Sequence, residues 1–435
     1  MSEHQGQTRS IRVEAMTRVE GEGGLDIRLL DGRIEQVNLN IFEPPRFFEA
    51  FLRGRPLEDV PDITARICGI CPVAYQMSSV HALEAALGVE ISPEIRRLRR
   101  LLYCGEWIES HALHVHMLNL PDFLGFDGAL EMAQAHPERV ERGLQIRKLG
   151  NQLLDRLGGR AIHPINVAVG GFYRAPTRGE LSEFVKPFEA GLRLAEEATR
   201  EIATLDFPVF DQAYDLVALV HPDEYPMNEG RIESCDGLSI AADEFPNHFV
   251  EQQVPHSTAM QAIRLETGKP YLLGPLARIQ LAFERLAPEA RRLADEVRFQ
   301  PPCRNPFYGI LARSLELVHA FAEAIDILKT YTPPRPPRIA YAYREAVGGA
   351  ATEAPRGLLY HGYGIAADGK VTHANIVPPT SQNQGQIEAD LRDYLPQVLS
   401  LPDREVADAC EKLVRCYDPC ISCSTHFLRV RIDRG

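Results

Sequence analysis

Four cysteines stand in two pairs of CxxC spacing near opposite ends of the chain. Cys68 and Cys71 lie in RICGIC, and Cys420 and Cys423 lie in DPCISC. Two such pairs can present four soft thiolates to one metal centre. Because almost the whole chain separates the pairs, a shared centre requires the fold to bring both ends together. The spacing alone leaves open a catalytic metal centre, a structural zinc site, and unrelated buried or redox-active thiols.

The other five cysteines lack CxxC spacing and are expected to be ordinary buried thiols. They are Cys104, Cys235, Cys303, Cys410 and Cys416. Nine cysteines in a long chain indicate a reducing compartment better than a disulfide framework. None of the five forms a further cluster for an iron-sulfur group, so electrons from a redox reaction at the paired cysteines must leave through another polypeptide.

Composition restricts the class of protein. The chain has 435 residues, of which 45% are hydrophobic, so it can bury a substantial core. Its net charge of -13 disfavours attraction to nucleic acid or to an anionic membrane. No apolar run reaches the roughly 18 residues of a membrane span, and the initial MSEHQGQTRS lacks the apolar core of a signal peptide. We therefore expect a cytoplasmic protein without a membrane span.

The elements that must position the cysteines are mainly helices. Residues 10–41 alternate apolar and polar positions around Asp31-Gly32, which predicts a small antiparallel sheet with a tight hairpin turn. Helical periodicity dominates the middle of the chain. The predicted helices begin near residue 95 and continue past 114, and then span residues 138–157, 180–205, 305–331 and 403–417.

The C-terminal third returns to β-structure after the proline-rich TPPRPPR at residues 332–338. Short strands are predicted at residues 338–343, 357–363 and 371–377. Asp418 and the second cysteine pair follow directly after the last predicted helix. The fold class predicted is therefore mainly α (α+β), with long central helices and small antiparallel sheets near the N-terminus and in the C-terminal third. Since the metal site needs both ends, we expect a single domain over residues 1–435.

The sequence around the cysteines resembles the large, catalytic subunit of nickel-iron hydrogenases, in particular the cytoplasmic, nicotinamide-coupled group. The resemblance extends beyond RICGICPVAYQMSSVHALE and DPCISCSTH. Six further segments appear in the family's order: TRVEGEGGL (Thr17–Leu25), FFEAFLRGR (Phe47–Arg55), SHALHVHMLNLPD (Ser110–Asp122), GGRAIHP (Gly158–Pro164), EAPRG (Glu353–Gly357) and NIVPPTSQN (Asn375–Asn383). Together they cover the chain from end to end.

The resemblance implies a nickel-iron centre. In the family all four cysteines bind nickel, and the second of each pair also bridges to iron. Cys68 and Cys420 are thereby implied as terminal ligands, and Cys71 and Cys423 as bridging ligands. One carbon monoxide and two cyanides complete the iron in the family. By the same resemblance these diatomic ligands occupy a pocket lined by residues of two loops: Pro355, Arg356 and Thr380, the last of which is implied as a hydrogen-bond donor to a cyanide.

Heterolytic splitting of dihydrogen needs a Lewis acid and a nearby base for the proton. Two bases are compatible with the resemblance. One is the thiolate of Cys420, which passes its proton to Glu20 in TRVEG. The other is Arg356, held over the metals by Asp122 and Asp418. We favour Cys420 and Glu20 for proton transfer, with Arg356 and the two aspartates as electrostatic support.

A second, oxygen-ligated metal site is also implied by the resemblance. Family members hold magnesium through a glutamate of the FFE segment, a histidine after the last cysteine pair, and a backbone carbonyl. Here these groups are Glu49, His426 and the carbonyl of Ile376. Magnesium keeps several waters, so three protein ligands suffice, although histidine is an uncommon ligand for it. The alternative for Glu49 and His426 is a plain salt bridge.

The resemblance also implies partners. A small subunit with iron-sulfur clusters accepts the electrons, and flavin- and NAD(P)-binding diaphorase subunits complete the complex. This chain has no G-x-G-x-x-G unit of its own. Related precursors are cut after the histidine that corresponds to His426, which implies a maturation protease, although a family member that keeps its tail is the alternative. Other functions left open are a hydrogen sensor, a deazaflavin-coupled relative and a structural four-thiolate zinc protein.

Overall fold

The computed structural model describes residues 8–425, and its strands form small antiparallel sheets only. The strands are β1 (Thr8–Val13), β2 (Gly23–Leu30), β3 (Arg33–Ile41), β4 (Val167–Ala168), β5 (Gly171–Phe172), β6 (Val217–Val220), β7 (Arg231–Ser234), β8 (Ser239–Ile240), β9 (Phe249–Gln253), β10 (Met260–Arg264), β11 (Ala346–Ala354), β12 (Gly357–Ile365) and β13 (Val371–Val377). Within this part of the chain the sheets are β1-β2-β3, β4-β5, β6-β7-β8, β9-β10 and β11-β12-β13.

Helices make up most of the regular structure between these sheets. They are α1 (Phe48–Leu52), α2 (Val60–Thr64), α3 (Pro72–Leu87), α4 (Pro93–Leu113), α5 (Leu120–Leu124), α6 (Ala129–Ala135), α7 (Pro137–Gly158), α8 (Arg178–Ser182), α9 (Val185–Ile202), α10 (Phe245–His248), α11 (Pro275–Ala282), α12 (Pro288–Glu296), α13 (Gly309–Thr330), α14 (Pro379–Val398), α15 (Asp403–Cys416) and α16 (Ile421–Ser424). A π-helical turn over His114–Asn119 continues α4. The predicted fold class, mainly α with small antiparallel sheets, is confirmed.

The N-terminal hairpin has the turn that its sequence predicts. Asp31 and Gly32 have φ of 50° and 76°, and both connect β2 to β3. Two-residue hairpin loops favour positive φ at both positions, because the twist of such a turn matches that of the strands. The predicted small sheet at residues 10–41 is confirmed.

The long helices α4, α7, α9 and α13 pack against one another and enclose the largest core. The hydroxyl of Ser92 caps the start of α4 by accepting from the N–H of Ile95, and Pro93 occupies the first turn, where its missing N–H has no cost. Gly159 ends α7 with a φ of 81°, which a glycine adopts without strain. Trp107 of α4 is completely buried in this core.

The helix predicted over residues 180–205 is two helices instead of one. It is broken at Glu183 and Phe184 between α8 and α9. Pro187 accounts for the break, since its ring clashes with the carbonyl four residues earlier, which is that of Glu183. The capping box between Thr177 and Glu180 starts the first of the two helices.

The strand predicted at residues 338–343 is wrong. Apart from an isolated bridge between Arg338 and Gly171, these residues form no ladder, and the strand begins at Ala346 instead. Strand β11 consists largely of small residues with low strand propensity, so its sequence does not predict a strand. The same small residues allow β11 to pack closely on α3. A Cβ on Gly348 would lie 2.5 Å from the backbone nitrogen of Ala86.

No helix within residues 8–425 combines the length and the apolar character that crossing a bilayer requires.

Candidate metal centre

The fold brings the two cysteine pairs together in the interior. Cys68 precedes α3 and Cys71 lies at its N-terminus, while Cys420 and Cys423 lie at and within α16. All four side chains are at most 4% exposed. The Sγ of Cys68 lies 3.6 Å from that of Cys420, and these two sulfurs and that of Cys423 lie within 4.8 Å of one another.

The donor set fits a thiolate-bound metal. Two sulfurs bound tetrahedrally at about 2.3 Å to one ion lie about 3.8 Å apart, close to the 3.6 Å between Cys68 and Cys420. The sulfurs of Cys420 and Cys423 lie 2.7 Å apart and would have to separate to bind one ion in this way. Burial raises the pKa of Cys420 well above its usual range. Hydrogen bonds from Cys420 and Cys423 lower the pKa of Cys68, whose Sγ also accepts the N–H groups of Ile70 and Cys71 at 3.3 and 3.2 Å. Four thiolates here need positive charge beside them, which a soft metal ion provides.

Glu20 lies directly against the second cysteine pair. The thiol of Cys420 donates to its Oε2 at 3.0 Å, and the N–H of Ser422 donates to the same atom at 3.0 Å. The carbonyl of Glu20 accepts from the N–H of Ile421 at 2.8 Å, which fixes its backbone. The hydroxyl of Ser422 donates to Oε2 of Glu43 at 2.8 Å. The carboxylates of Glu20 and Glu43, both half-buried, therefore lead from Cys420 towards the surface.

Arg356 and Asp418 form a buried ion pair beside the thiols. The Nε of Arg356 donates to the carbonyl of Asp418 at 2.8 Å, and Nη2 donates to Oδ1 at 3.2 Å. Burial opposes the charge of Arg356, but the charges of Asp418 and of the nearby thiolates raise its pKa. Its Nη1 has no hydrogen-bond partner within the described chain. This arrangement matches the prediction for Asp418.

Asp122 does not lie where the sequence analysis put it. Its carboxylate accepts from Arg18 at 2.6 Å and from Arg415 at 2.9 and 2.8 Å, instead of from Arg356. A buried guanidinium group, that of Arg415, and a half-buried one, that of Arg18, bind its oxygens, so Asp122 forms its ion pairs with these two residues and not with Arg356. The expectation that both aspartates hold Arg356 directly is therefore corrected.

The two other residues predicted to line the diatomic pocket also lie at the centre. The hydroxyl oxygen of Thr380, at the start of α14, accepts from the N–H of Cys420 at 3.0 Å, which leaves its own hydrogen for a second partner. The carbonyl of Pro355 accepts from Arg278 at 2.9 Å.

Glu49 and Ile376, two of the three residues predicted to bind magnesium, are brought together. Oε1 of Glu49, in α1, accepts from the N–H of Ile376, in β13, at 2.8 Å. Both side chains are buried. His426, the third predicted ligand, lies outside the described residues, as does the tail after it.

Several residues around the centre escaped the sequence analysis. They are Arg18, Arg278, Arg313 and Arg415, and no local pattern distinguishes a buried arginine from an exposed one. Among the five isolated cysteines, Cys235 is exposed, so the expectation of burial is wrong for it. It lies in a loop after β7, where few residues cover it.

The buried carboxyl group of Asp390, in α14, predicts a pH dependence of stability. Burial raises the pKa of Asp390 from 3.8 to about 6, although Tyr214, Tyr417 and Gln386 donate hydrogen bonds to it. The unfolded chain therefore loses this proton first as pH rises, and the free energy of unfolding falls between pH ~4 and ~6 by about 3 kcal/mol. Thermal unfolding across this range is expected to show this loss in the wild type and its absence in Asp390→Asn.

The control is Asp155→Asn, which changes an exposed carboxylate of a different helix, α7. It should follow the wild-type pH profile. If the free energy of unfolding depended on pH in the same way in the wild type and in Asp390→Asn, the prediction would be contradicted.

The comparison with known families agrees with this geometry. The chain matches the model of the nickel-dependent hydrogenase family over residues 46–152 and 308–426, stretches that contain both cysteine pairs. The chain therefore belongs to the nickel-dependent hydrogenases, and within them it corresponds to the large subunit. It is an oxidoreductase that acts on dihydrogen, and family membership implies nickel together with iron.

Individual relatives match over nearly their full length. Sulfhydrogenase 1 subunit alpha of Pyrococcus furiosus is 33% identical over 97% of this chain and 98% of its own. The HoxS subunit beta of the NAD-reducing hydrogenase of Cupriavidus necator is 27% identical over 97% of this chain and 95% of its own. A crystal structure of an NAD+-reducing NiFe hydrogenase in the H2-reduced state superposes with a TM-score of 0.84 at 24% identity, and it covers 96% of this chain and 99% of that chain. This likeness confirms the fold.

Proposed function

We propose that this chain is the catalytic subunit of a multi-subunit hydrogenase that passes the electrons of dihydrogen through an iron-sulfur small subunit towards NAD(P). The names of the relatives support this proposal, since one is a subunit of an NAD-reducing hydrogenase and another is an alpha subunit. The chain acts as one catalytic domain, because its two ends supply one centre. The observation that carries the proposal is the buried group of thiols with Glu20 on Cys420.

We assign the four cysteines as the ligands of nickel and iron, with Cys68 and Cys420 terminal and Cys71 and Cys423 bridging. The bound metals supply the Lewis acidity that polarises dihydrogen. Pro355, Arg356 and Thr380 line the space for the carbonyl and cyanide ligands of iron. The free Nη1 donor of Arg356 and the hydroxyl hydrogen of Thr380 suit groups that accept hydrogen bonds.

The proton leaves through side chains of this chain. The thiol of Cys420 is within hydrogen-bond distance of Glu20 and transfers its proton to that carboxylate. From Glu20 the path leads to Glu43, a second half-buried carboxylate; Glu20 accepts from the N–H of Ser422 and Glu43 from its hydroxyl, so Ser422 holds the two carboxylates beside each other. Arg356 and Asp418 give electrostatic support from the opposite side, and Asp122 contributes through Arg18 and Arg415.

Two further assignments complete the proposal. Magnesium is held by Glu49, the carbonyl of Ile376 and His426, and links the β11–β13 sheet to the end of the chain. A maturation protease removes the residues after His426. The mass of the chain in nickel-loaded protein tests this last step, since a mass that includes FLRVRIDRG excludes cleavage.

The test of the proposed function is elemental analysis and infrared spectroscopy of the purified complex, followed by dihydrogen oxidation with viologen dyes and with NAD(P). We expect one nickel per catalytic subunit, iron in excess of nickel because the clusters of the small subunit add to the iron of the centre, infrared bands of metal-bound carbonyl and cyanide, and rapid turnover. Zinc without nickel would overturn the proposal in favour of a structural site. If nickel and iron are present but dihydrogen reduces the dyes only very slowly, the protein is a hydrogen sensor. If the complex reduces a deazaflavin instead of NAD(P), the deazaflavin is the electron acceptor.

A further inference from the structure

Arg356 lies at the tip of a hairpin whose loop sequence, Ala-Pro-Arg-Gly, suits a type I turn and not the turn types that two-residue hairpins favour. Ala354 pairs with Gly357, so Pro355 and Arg356 form a two-residue loop between β11 and β12. Loops of this length favour turns whose first residue has positive φ. Proline cannot adopt positive φ, because its ring fixes φ near -65°. Contacts from elsewhere in the fold must therefore hold the tip.

Arg278 of α11 provides such contacts with every donor that it has. Its Nε and Nη2 bind both oxygens of Glu316 at 2.7 Å, and Nη1 binds Oε2 of Glu353 at 2.8 Å. The two remaining N–H groups donate to the carbonyls of Ala354 and Pro355, each at 2.9 Å. The side chains of Arg278, Glu316 and Glu353 are fully buried. The guanidinium thus joins two carboxylates to the backbone immediately before Arg356.

Trp107 strengthens the same anchor. Its ring centre lies 4.4 Å from the guanidinium carbon of Arg278, and its Nε1 donates to the carbonyl of Glu353 at 3.1 Å. Trp107 and Arg278 therefore together bind the carbonyls of three consecutive residues, 353–355. On the other side of the tip, a Cβ on Gly274 would lie only 2.9 Å from the carbonyl oxygen of Arg356. The backbone before and after the guanidinium of Arg356 is enclosed.

The segment that carries Asp418 is anchored to α13, the helix that also carries Glu316. Arg313 donates to the carbonyls of Cys416 and Tyr417 at 2.8 and 3.1 Å. Asp418 follows with a φ of 55°, a left-handed conformation that a residue other than glycine adopts only when its surroundings impose it. Arg313 and Glu316 lie one turn apart on α13. This helix therefore fixes both backbones that present the pair Arg356–Asp418.

We propose that Arg278 is a positioning residue of the hydrogenase centre, which sets the place of the Arg356 guanidinium over the thiolates, while Arg313 fixes the opposing segment. The inference rests on the proposed function, in which Pro355 and Arg356 line the pocket of the iron ligands. Arg278 touches neither substrate nor metal, and it acts through the backbone alone.

The test is Arg278→Lys in the intact complex. Lysine keeps the charge, but a single ammonium group cannot span two carboxylates and two carbonyls as the planar guanidinium does. We expect nickel and iron to be retained, and the carbonyl and cyanide infrared bands to move by more than the wild-type linewidth. The kcat of dihydrogen oxidation should fall about 10- to 100-fold, the cost of a small misplacement at a reacting centre, with an unchanged KM for the dye.

Arg99→Lys is the matched control. Arg99 is equally buried, binds both oxygens of Glu84 at 2.7 and 2.6 Å and donates to the carbonyl of Ala168, near the end of α3 opposite Cys71. The Arg99→Lys variant should have a lower midpoint of thermal unfolding, and its carbonyl and cyanide infrared bands should not move.

Unchanged carbonyl and cyanide bands in Arg278→Lys, or equal shifts in Arg278→Lys and Arg99→Lys, would overturn this inference and leave the proposed function standing. A wild-type complex without such bands overturns the proposed iron ligands as well. If Arg278→Lys does not assemble, Trp107→Phe decides by the same criterion, because it removes the Nε1 donor to Glu353 and part of the buried ring volume but keeps an aromatic face towards Arg278. A smaller band shift in Trp107→Phe supports the inference, and unchanged bands overturn it.

Discussion

Cys420→Ser is expected to empty the protein of nickel and to abolish hydrogen turnover. The serine hydroxyl is a hard ligand that does not ionise near neutral pH, so it cannot replace a soft thiolate between Cys68 and Cys423. The same change removes the proton carrier that contacts Glu20 at 3.0 Å. Nickel content after gel filtration should fall to background, and dye reduction by dihydrogen should fall below detection.

Cys303→Ser controls for the general effect of losing a thiol. Cys303 is 5% exposed and lies outside the cluster, so its variant should keep nickel and activity. Retention of stoichiometric nickel by Cys420→Ser would show that Cys420 is not a ligand, and the assignment of terminal and bridging thiolates would have to change.

The sequence predicted those features that depend on short spacing or on local conformation. CxxC pairs can be recognised because two thiols on one turn converge whatever surrounds them, and Asp31-Gly32 specifies its hairpin turn by its own φ preferences. The helices α4, α7, α13 and α15 were predicted because their apolar positions repeat over many turns. The family resemblance then identified which residues of the separate segments meet.

Helix α14 and strand β11 were missed for opposite reasons. The first turns of α14, PTSQNQGQ, are polar, yet they are buried, and Gln382, Asn383 and Gln384 each form a side-chain hydrogen bond inside the protein. An amphipathic pattern is therefore absent. Strand β11 consists largely of alanine and glycine, and its conformation comes from pairing with β12 rather than from propensity.

The partners of buried charges were predicted only where the family resemblance supplied them, and not always correctly. Asp122 was expected to hold Arg356, but it is neutralised by Arg18 and Arg415, which lie 104 and 293 positions away in the sequence. A single sequence shows which residues carry charge and not which charges meet. In the interior the choice among arginine partners depends on which backbone brings them within hydrogen-bond distance, and this is decided by the complete fold.

Glu20→Gln is expected to slow hydrogen oxidation and the exchange of dihydrogen with D2O by about 10²- to 10⁴-fold, the usual contribution of a positioned general acid or base. Glutamine keeps the shape of the side chain and still accepts the N–H of Ser422, but it cannot take the proton of Cys420. The nickel and iron contents and the infrared bands should remain those of the wild type. Rates measured together with these spectra separate a lost proton carrier from a damaged centre.

Glu22→Gln provides the control, because Glu22 is an exposed carboxylate two residues further along the same segment. Its exchange rate should equal that of the wild type. Full exchange in Glu20→Gln would exclude Glu20 as the proton carrier and would favour Arg356 as the base. In that case Arg356→Lys should lose the exchange that Glu20→Gln retains. The two routes use different residues, Glu20 and Arg356, so the pair of variants assigns the proton to one of them.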